Sequence, residues 1–262
     1  MINNKISVFI ITFNEENIIS KCLEKLSFAD EIIVVDSGSS DNTVEICKKF
    51  GAKIIFNKFE NFGIQKQFAL NETSNDWVLS LDADEVLSDK LIIEIGNLNL
   101  KSDFQGFKIP RTHFFLNKTF NYGSENKKPI VRLFNKKFGN FEPNKVHETI
   151  IVKGNVGILQ NEMLHFTVDN IETAIKKNIN YANLSGEFLF EKGKKTTIAK
   201  TIIKIPYEFL RVYLLQLNFL NGYQGFVWSI FSSFGSFLKY AKLYELQNKI
   251  IQPNVYKHHN NS

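Results

Sequence analysis

An α/β fold, a parallel sheet with helices on both faces followed by a helical, aromatic C-terminal region, is predicted by three observations. Four short runs rich in apolar β-formers, at residues 6–13, 31–36, 53–56 and 77–81, lack a helical period. Segments between them place apolar residues three and four apart, as a helix with one inward face does. Three of the runs end in polar or acidic residues, Thr12-Phe13-Asn14-Glu15, Asp36 and Asp82-Ala83-Asp84-Glu85. The C-terminal edge of an open parallel sheet is where such folds bind ligands, and strands alternating with helices connect right-handedly.

Residues 6–13 are almost continuously apolar, as in a strand covered on both faces. The run is too short for a signal peptide, has no small-residue cleavage site and leads straight into Asn14-Glu15-Glu16. Residues 14–26 put Ile18, Ile19, Cys22, Leu23 and Leu26 on one helical face, with Glu15 and Glu16 in the first turn. Glu31 to Asp36 is a second buried strand, and Ser37-Gly38-Ser39-Ser40-Asp41-Asn42 supplies a turn and a cap for a helix with Val44, Cys47 and Phe50 inward. A third strand spans 53–56, and Gly63 opens a helix over 64–71 carrying Gln65 and Lys66 near its start. The fourth strand delivers the acid triplet, and 88–98 is helical with Leu91, Ile92, Ile95 and Leu98 inward. Asp82 and Asp84, with one small residue between them, can share a cation, and hard oxygen ligands suit Mg²⁺ or Mn²⁺ when a diphosphate supplies the rest. The same acids also read as a strand end followed by a helix N-terminus.

The 262 residues suffice for a full core. Cys22 and Cys47 lack metal or redox spacing, which fits a reducing compartment. The net charge of +5 divides unevenly, −7 over residues 1–100 and +12 over 101–262. An acidic half suits metal binding, and a basic half suits phosphate groups, nucleic acid or an acidic membrane surface. No Gly-x-Gly-x-x-Gly follows the first strand and no Gly-Lys-Ser/Thr loop occurs, which argues against a dinucleotide oxidoreductase and a P-loop NTPase.

The pieces SVFIITFNEENI, EIIVVDSGSSDNTVEI, FGIQKQFAL and DWVLSLDADE, in this order and spacing, closely resemble the family 2 glycosyltransferases with the Rossmann-like GT-A fold. VRLFNKK, VHETI, LHFT and the aromatic C-terminus are similar to the subgroup of bacterial lipopolysaccharide-core glucosyltransferases, so the likeness spans nearly the whole chain. The resemblance implies a nucleotide-sugar-binding sheet, a UDP-sugar donor and a divalent cation, Mg²⁺ or Mn²⁺. It implies Thr12, Glu15 and Asp36 at the uracil and ribose, with Asn14 in the same donor loop, and Lys66 near the diphosphate or base. Asp82 would contact the ribose and the metal shell, and Asp84 would ligate the metal. The chain departs from the subgroup where Lys66-Gln67 replaces Lys-Asn, and where Asn126-Lys127-Lys128-Pro129 replaces a segment like Trp-Tyr-Pro-Asp, which removes an acid.

Beyond residue 100, strands are expected over 104–109 and 130–134, with Arg111, His113 and the Lys127-Lys128 loop between them. Arg132 within an apolar strand needs a partner, either a bound phosphate or a structural ion pair. An inverting sugar transfer needs a base for the acceptor hydroxyl, and Glu148, beside His147 at the start of a strand over 149–152, is the candidate, the alternative being an exposed acid paired with Lys145 or Lys153. His165 is either a third metal or phosphate contact or a satisfied core residue. From Ile171 the chain turns helical. The stretch from Val212 to Leu238 carries no charge, but its Asn, Gln, Gly and Ser residues favour two helices joined at Asn221-Gly222 over one span. Lysines on both sides suggest a basic, aromatic face on an anionic membrane, or a helical pair packed on protein.

The expected division is a catalytic domain over 1–168, with a nucleotide-sugar half over 1–100 and an acceptor half over 101–168, a membrane-associating helical region over 169–250 and a disordered tail over 251–262. The expected function is inverting, metal-dependent transfer of a hexose, glucose in first place, from a UDP-sugar to a lipopolysaccharide-core or other membrane-associated glycan. The partners are then a nucleotide-sugar donor, a lipid-linked acceptor and an anionic membrane, with no nucleic acid. The expected location is the cytoplasm, peripheral on the inner face of the cytoplasmic membrane. Nucleotidyl transfer would call for a glycine-rich basic loop after the first strand, and a membrane-bound scaffold would leave three acid-bearing strand ends unexplained.

Overall fold

The computed structural model describes residues 5–124, 126–142, 149–168 and 170–249, and the chain divides into two compact units, residues 1–167 and 168–262. In the first unit β1 (Ile6–Thr12), α1 (Ile19–Leu23), β2 (Glu31–Asp36), α2 (Thr43–Lys49), β3 (Lys53–Phe56), α3 (Phe62–Asn71) and β4 (Trp77–Asp82) alternate as expected. Their strands run parallel in the order β3-β2-β1-β4. Then come β5 (Glu85–Leu87), α4 (Asp89–Gly96), β6 (Phe104–Phe115), β7 (Lys118–Thr119), β8 (Lys128–Asn135), β9 (Gly139–Phe141), β10 (Ile150–Val152), β11 (Asn155–Ile158) and β12 (Met163–Val168).

The sheet is mixed beyond β4. β8 pairs antiparallel with β4, the order continues β8-β6-β12-β5, and β7 and β11 add to β6. β5, three residues after β4, lies across the sheet on β12, so the acid triplet is held between two strands. A separate two-stranded sheet joins β9 and β10.

Side chains of a strand alternate between faces, and the core follows that rule. Val8, Ile10, Val34, Leu79 and Leu81 pack on one face with Ile19, Leu23, Leu26, Leu91 and Ile95 of the helices. Phe9, Ile33, Val35 and Val78 pack on the other with Ala69, Leu70, Phe134 and Phe141. Each such Val, Leu, Ile or Phe side chain taken fully out of water contributes roughly 1.5–3 kcal/mol.

Some local expectations change. Residues 14–18 form turns, because backbone N–H groups of Asn14, Glu15 and Glu16 donate to Ser39, Thr43 and Asp41. Phe50 is exposed at the end of α2, whose buried residues are Thr43 and Cys47. Arg111 and His113 belong to β6, which runs six residues beyond the expected strand because β8 and β7 continue its pairing.

The second unit consists of α5 (Ile171–Glu191), α6 (Ile198–Leu210), a wider π turn (Arg211–Leu215), a 3-10 turn (Asn218–Asn221) and α7 (Tyr223–Lys249). The apolar stretch therefore breaks at residues 216–222, two helices in place of one span. α5 and α6 both pack on α7, and Gly186 lets α5 approach the Lys239 carbonyl and the Lys242 stem. No described helix is long and apolar enough to cross a membrane. Residues 251–262, expected as a disordered tail, lie outside the described residues.

Candidate active site

Register brings the polar strand ends together. Thr12 pairs with Asp36 across β1 and β2, and Ile11 pairs with Asp82 across β1 and β4, so the three ends share one edge of the sheet. Asp36 is 5% exposed, and its carboxylate folds the turn after β2: Oδ2 accepts from the N–H groups of Gly38 and Ser39 at 2.8 and 2.9 Å, and Oδ1 from the Ser39 hydroxyl at 2.5 Å. Gly38 lies at φ +96°, a region in which a Cβ is strained. Asn14, itself at φ +55°, accepts from Ser40 N–H at 2.8 Å and so ties the loop after β1 to the loop after β2. The Glu15 N–H donates to Thr43 Oγ1 at 2.8 Å. Thr12 is buried, and its hydroxyl has no hydrogen-bond partner among the described residues. An orphaned buried hydroxyl at a sheet edge is a group a ligand would satisfy.

Beside this edge sits a cluster of charges. Lys66 comes from α3, whose first turn is capped by the Asn61 side chain. It is only 1% exposed, and its Nζ lies 2.7 Å from Asp82 Oδ1. The second Asp82 oxygen takes Arg132 Nη2 at 2.7 Å, and the same Nη2 reaches Glu85 Oε1 at 2.7 Å. Arg132 arrives on β8, next to β4. Burial pushes the Asp82 carboxyl up, but Lys66 first and Arg132 second hold it well below the usual carboxylate range. Of the two readings of Arg132, the ion pair is present. Lys66 stands beside Gln65, fully buried, which donates to Ser37 Oγ and to the Asn57 carbonyl and fixes the helix start against the turn after β2.

Asp84 points elsewhere. Its Oδ2 lies 3.3 Å from His165 Nε2 on β12, and its carbonyl accepts the Phe166 N–H at 2.8 Å. The His165 ring meets His113 of β6 edge-on, with centroids 5.1 Å apart. Burial, then the neighbouring His165 and Arg111, push His113 down to about 3, so its imidazole is neutral at pH 7. Among the described residues no group of three His, Cys, Asp or Glu side chains stands close enough to enclose a metal. The donor set is a carboxylate with an imidazole, and it fits a hard divalent cation that takes its remaining ligands from phosphate oxygens and water. Asp82, expected in the same metal shell, has both oxygens on cations.

Glu85, Arg111 and His113 belong to the site but had no assigned part in the sequence reading. Glu85 is fully buried; besides Arg132 it faces Arg111 Nη1 at 3.6 Å, and its Oε2 accepts the Asp82 N–H at 3.1 Å. An acid followed directly by Val86-Leu87 carried the signal, since a carboxylate leading a buried apolar run must be paired. Glu148, the expected base, lies outside the described residues.

The family model of glycosyl transferase family 2 matches residues 7–154. The lipopolysaccharide core biosynthesis glycosyltransferase LpsC of Rhizobium meliloti is 31% identical over 258 residues, which cover 95% of this chain and 96% of that protein. Uncharacterized glycosyltransferases of Rickettsia typhi and Rickettsia conorii are 33% and 32% identical, over 94% and 99% of this chain and 88% and 98% of their own lengths. Among solved structures, glucosyl-3-phosphoglycerate synthase from Mycobacterium tuberculosis has a TM-score of 0.48 at 16% identity, over 74% of this chain and 80% of that one. With more than half its length matched by the family model and nearly all of it aligned to LpsC, this chain belongs to glycosyl transferase family 2.

Proposed function

We propose that this enzyme transfers a hexose, glucose in first place, with inversion from a UDP-sugar to a hydroxyl of a membrane-associated glycan, the lipopolysaccharide core being the first candidate. The observation that carries the reading is the charge cluster at the sheet edge, Lys66 and Arg132 on Asp82 beside Asp84 on His165. The acceptor class is supported by the name of the Rhizobium relative, aligned over 95% of this chain.

Thr12, Asn14, Glu15 and Asp36 would hold the uracil and ribose, a reading supported by their shared sheet edge and by the Thr12 hydroxyl, which has no hydrogen-bond partner among the described residues. Lys66 and Arg132 supply positive charge where the diphosphate departs, fixed in advance by Asp82 and Glu85, and charge placed before the reaction needs no reorganisation. Asp84 and His165 would hold the Mg²⁺ or Mn²⁺, and a cation there supplies Lewis acidity to the diphosphate oxygens. His113, neutral at pH 7, leaves a cation at His165 unopposed by an imidazolium. The acceptor oxygen forms its bond to the anomeric carbon as the bond to the diphosphate breaks and the electron pair leaves with UDP. We assign the acceptor proton to Glu148, a carboxylate general base.

UDP release from a panel of UDP-sugars, with and without a lipid-linked core acceptor, tests this reading. Acceptor-dependent release with one UDP-hexose is expected, and Glu148→Gln should slow it by roughly 10²-fold with UDP affinity unchanged. Silence with every UDP-sugar and acceptor rejects the donor, and an undiminished Glu148→Gln rate moves the base elsewhere.

A further inference from the structure

In the second unit, α6 turns most of its apolar side chains to solvent, and its one buried residue is Thr201. Its charged residues Lys200, Lys204 and Glu208, with Arg211 just after it, recur at helical spacing along one line, and Lys200 and Lys204 sit 5.5 and 5.0 Å from the Tyr240 ring of α7. Ile198, Ile202, Ile203, Ile205 and Leu210 are instead 42–62% exposed. The turn that follows buries polar side chains and exposes apolar ones. Asn218 and Asn221 are each 1% exposed, while Leu215 and Tyr223 are 80% and 70% exposed. Leu217 occupies the left-handed region, φ +59°, where glycine or asparagine would cost less, and its side chain is 45% exposed.

The polar groups of this tip satisfy one another. Asn218 Nδ2 donates to the Val212 carbonyl and Asn221 Nδ2 to Asn218 Oδ1, both at 3.0 Å. The N–H groups of Gln216, Leu217, Leu220 and Gly222 donate to carbonyls three to five residues back. A backbone paired internally with leucines outward is what a low-dielectric medium requires. From Lys192 to Lys242 the sequence holds eight basic residues and one acid, Glu208, which Arg211 pairs at 2.5 Å. That balance complements an anionic surface, and no described helix is long and apolar enough to cross a membrane.

We propose that the α6–α7 hairpin embeds in one leaflet of an anionic phospholipid bilayer, through the outer face of α6 and the tip at residues 214–223, with Lys194 and Lys195 at the headgroups. This deepens the reading of a membrane-associated acceptor, and it is tested without donor, metal or acceptor. The full chain should cosediment with phosphatidylglycerol vesicles and more weakly with phosphatidylcholine vesicles. Leu215→Asp with Tyr223→Asp should weaken partitioning roughly tenfold or more with an unchanged thermal melt, both sites being exposed. Lys194→Glu with Lys195→Glu should weaken it on anionic vesicles. A fluorophore on Leu215→Cys, the native Cys22 and Cys47 being buried, should be quenched by brominated acyl chains. The proposal is overturned by absence of vesicle binding, by binding indifferent to the Leu215 and Tyr223 substitutions, by an unquenched label, or by a vesicle-free dimer that those substitutions dissolve. Vesicle binding by a chain that turns over no UDP-sugar would reject the proposed reaction and leave the anchor standing.

Discussion

Glu85 and Arg132 show how the site is held at the scale of a residue. Glu85 is wholly buried and shares one guanidinium nitrogen with Asp82. Removing one member of a buried ionic set strands the others, which costs about 3–5 kcal/mol. Arg132→Met should lower stability in urea by that order, and adding Glu85→Gln should recover part of the loss; equal stability of wild type and Arg132→Met would contradict the network. His113 supplies a pH test. Its folded-state value of about 3 lies below the ordinary 6.5, so the unfolded chain binds the extra proton first. Stability is therefore full above pH 6.5 and falls as pH drops toward 3, by up to about 1.4 kcal/mol per unit. Thermal melts in chelator between pH 6.5 and 4.5 should show that slope, and His113→Asn should flatten it. Thr12, Asp36, Asp82 and Asp84 were legible because strand ends of a parallel sheet must converge, and Lys66 through the family resemblance. The partners of Glu85 and His113 were not, since they come from β6, β8 and β12, distant in sequence.

At the scale of elements, strands buried on both faces announce themselves. β2 has the expected bounds and β1 differs by one residue, and the bounds of β3, a half-exposed edge strand, were also as expected. β5, β7, β9 and β11, of two to four residues, are too short to show a period. The length of β6 depends on partners far along the chain. In the second unit the break at residues 216–222 was visible from Asn221-Gly222, but the π turn was not. Gly225 makes that break possible, because a Cβ there would stand 1.9 Å from the Asn218 carbonyl oxygen. Gly225→Ala should therefore destabilise the hairpin by about 1–3 kcal/mol, as overpacking does. Faster proteolysis between residues 211 and 223 would report it, and an unaltered cleavage rate would contradict the close approach.

For the molecule as a whole, the charge asymmetry of the sequence has a structural counterpart. The acidic N-terminal part holds the acid triplet on the sheet edge, and the basic C-terminal part holds the lysines that flank the uncharged stretch from Val212 to Leu238. Family and fold were readable from four motifs in register, whereas Lys66, Arg132, Asp82 and Glu85 meet only because α3, β4, β5 and β8 fold together. The central claim is that Asp84 serves the departing diphosphate while Asp82 orders the cations beside it. The most direct measurement is the rate of UDP release by Asp84→Ala with Mn²⁺ or Mg²⁺, donor and acceptor saturating, on a variant whose melt matches wild type. A loss of roughly 10³-fold, equivalent to several kcal/mol of charge stabilisation, is the predicted result, and an undiminished rate would contradict it.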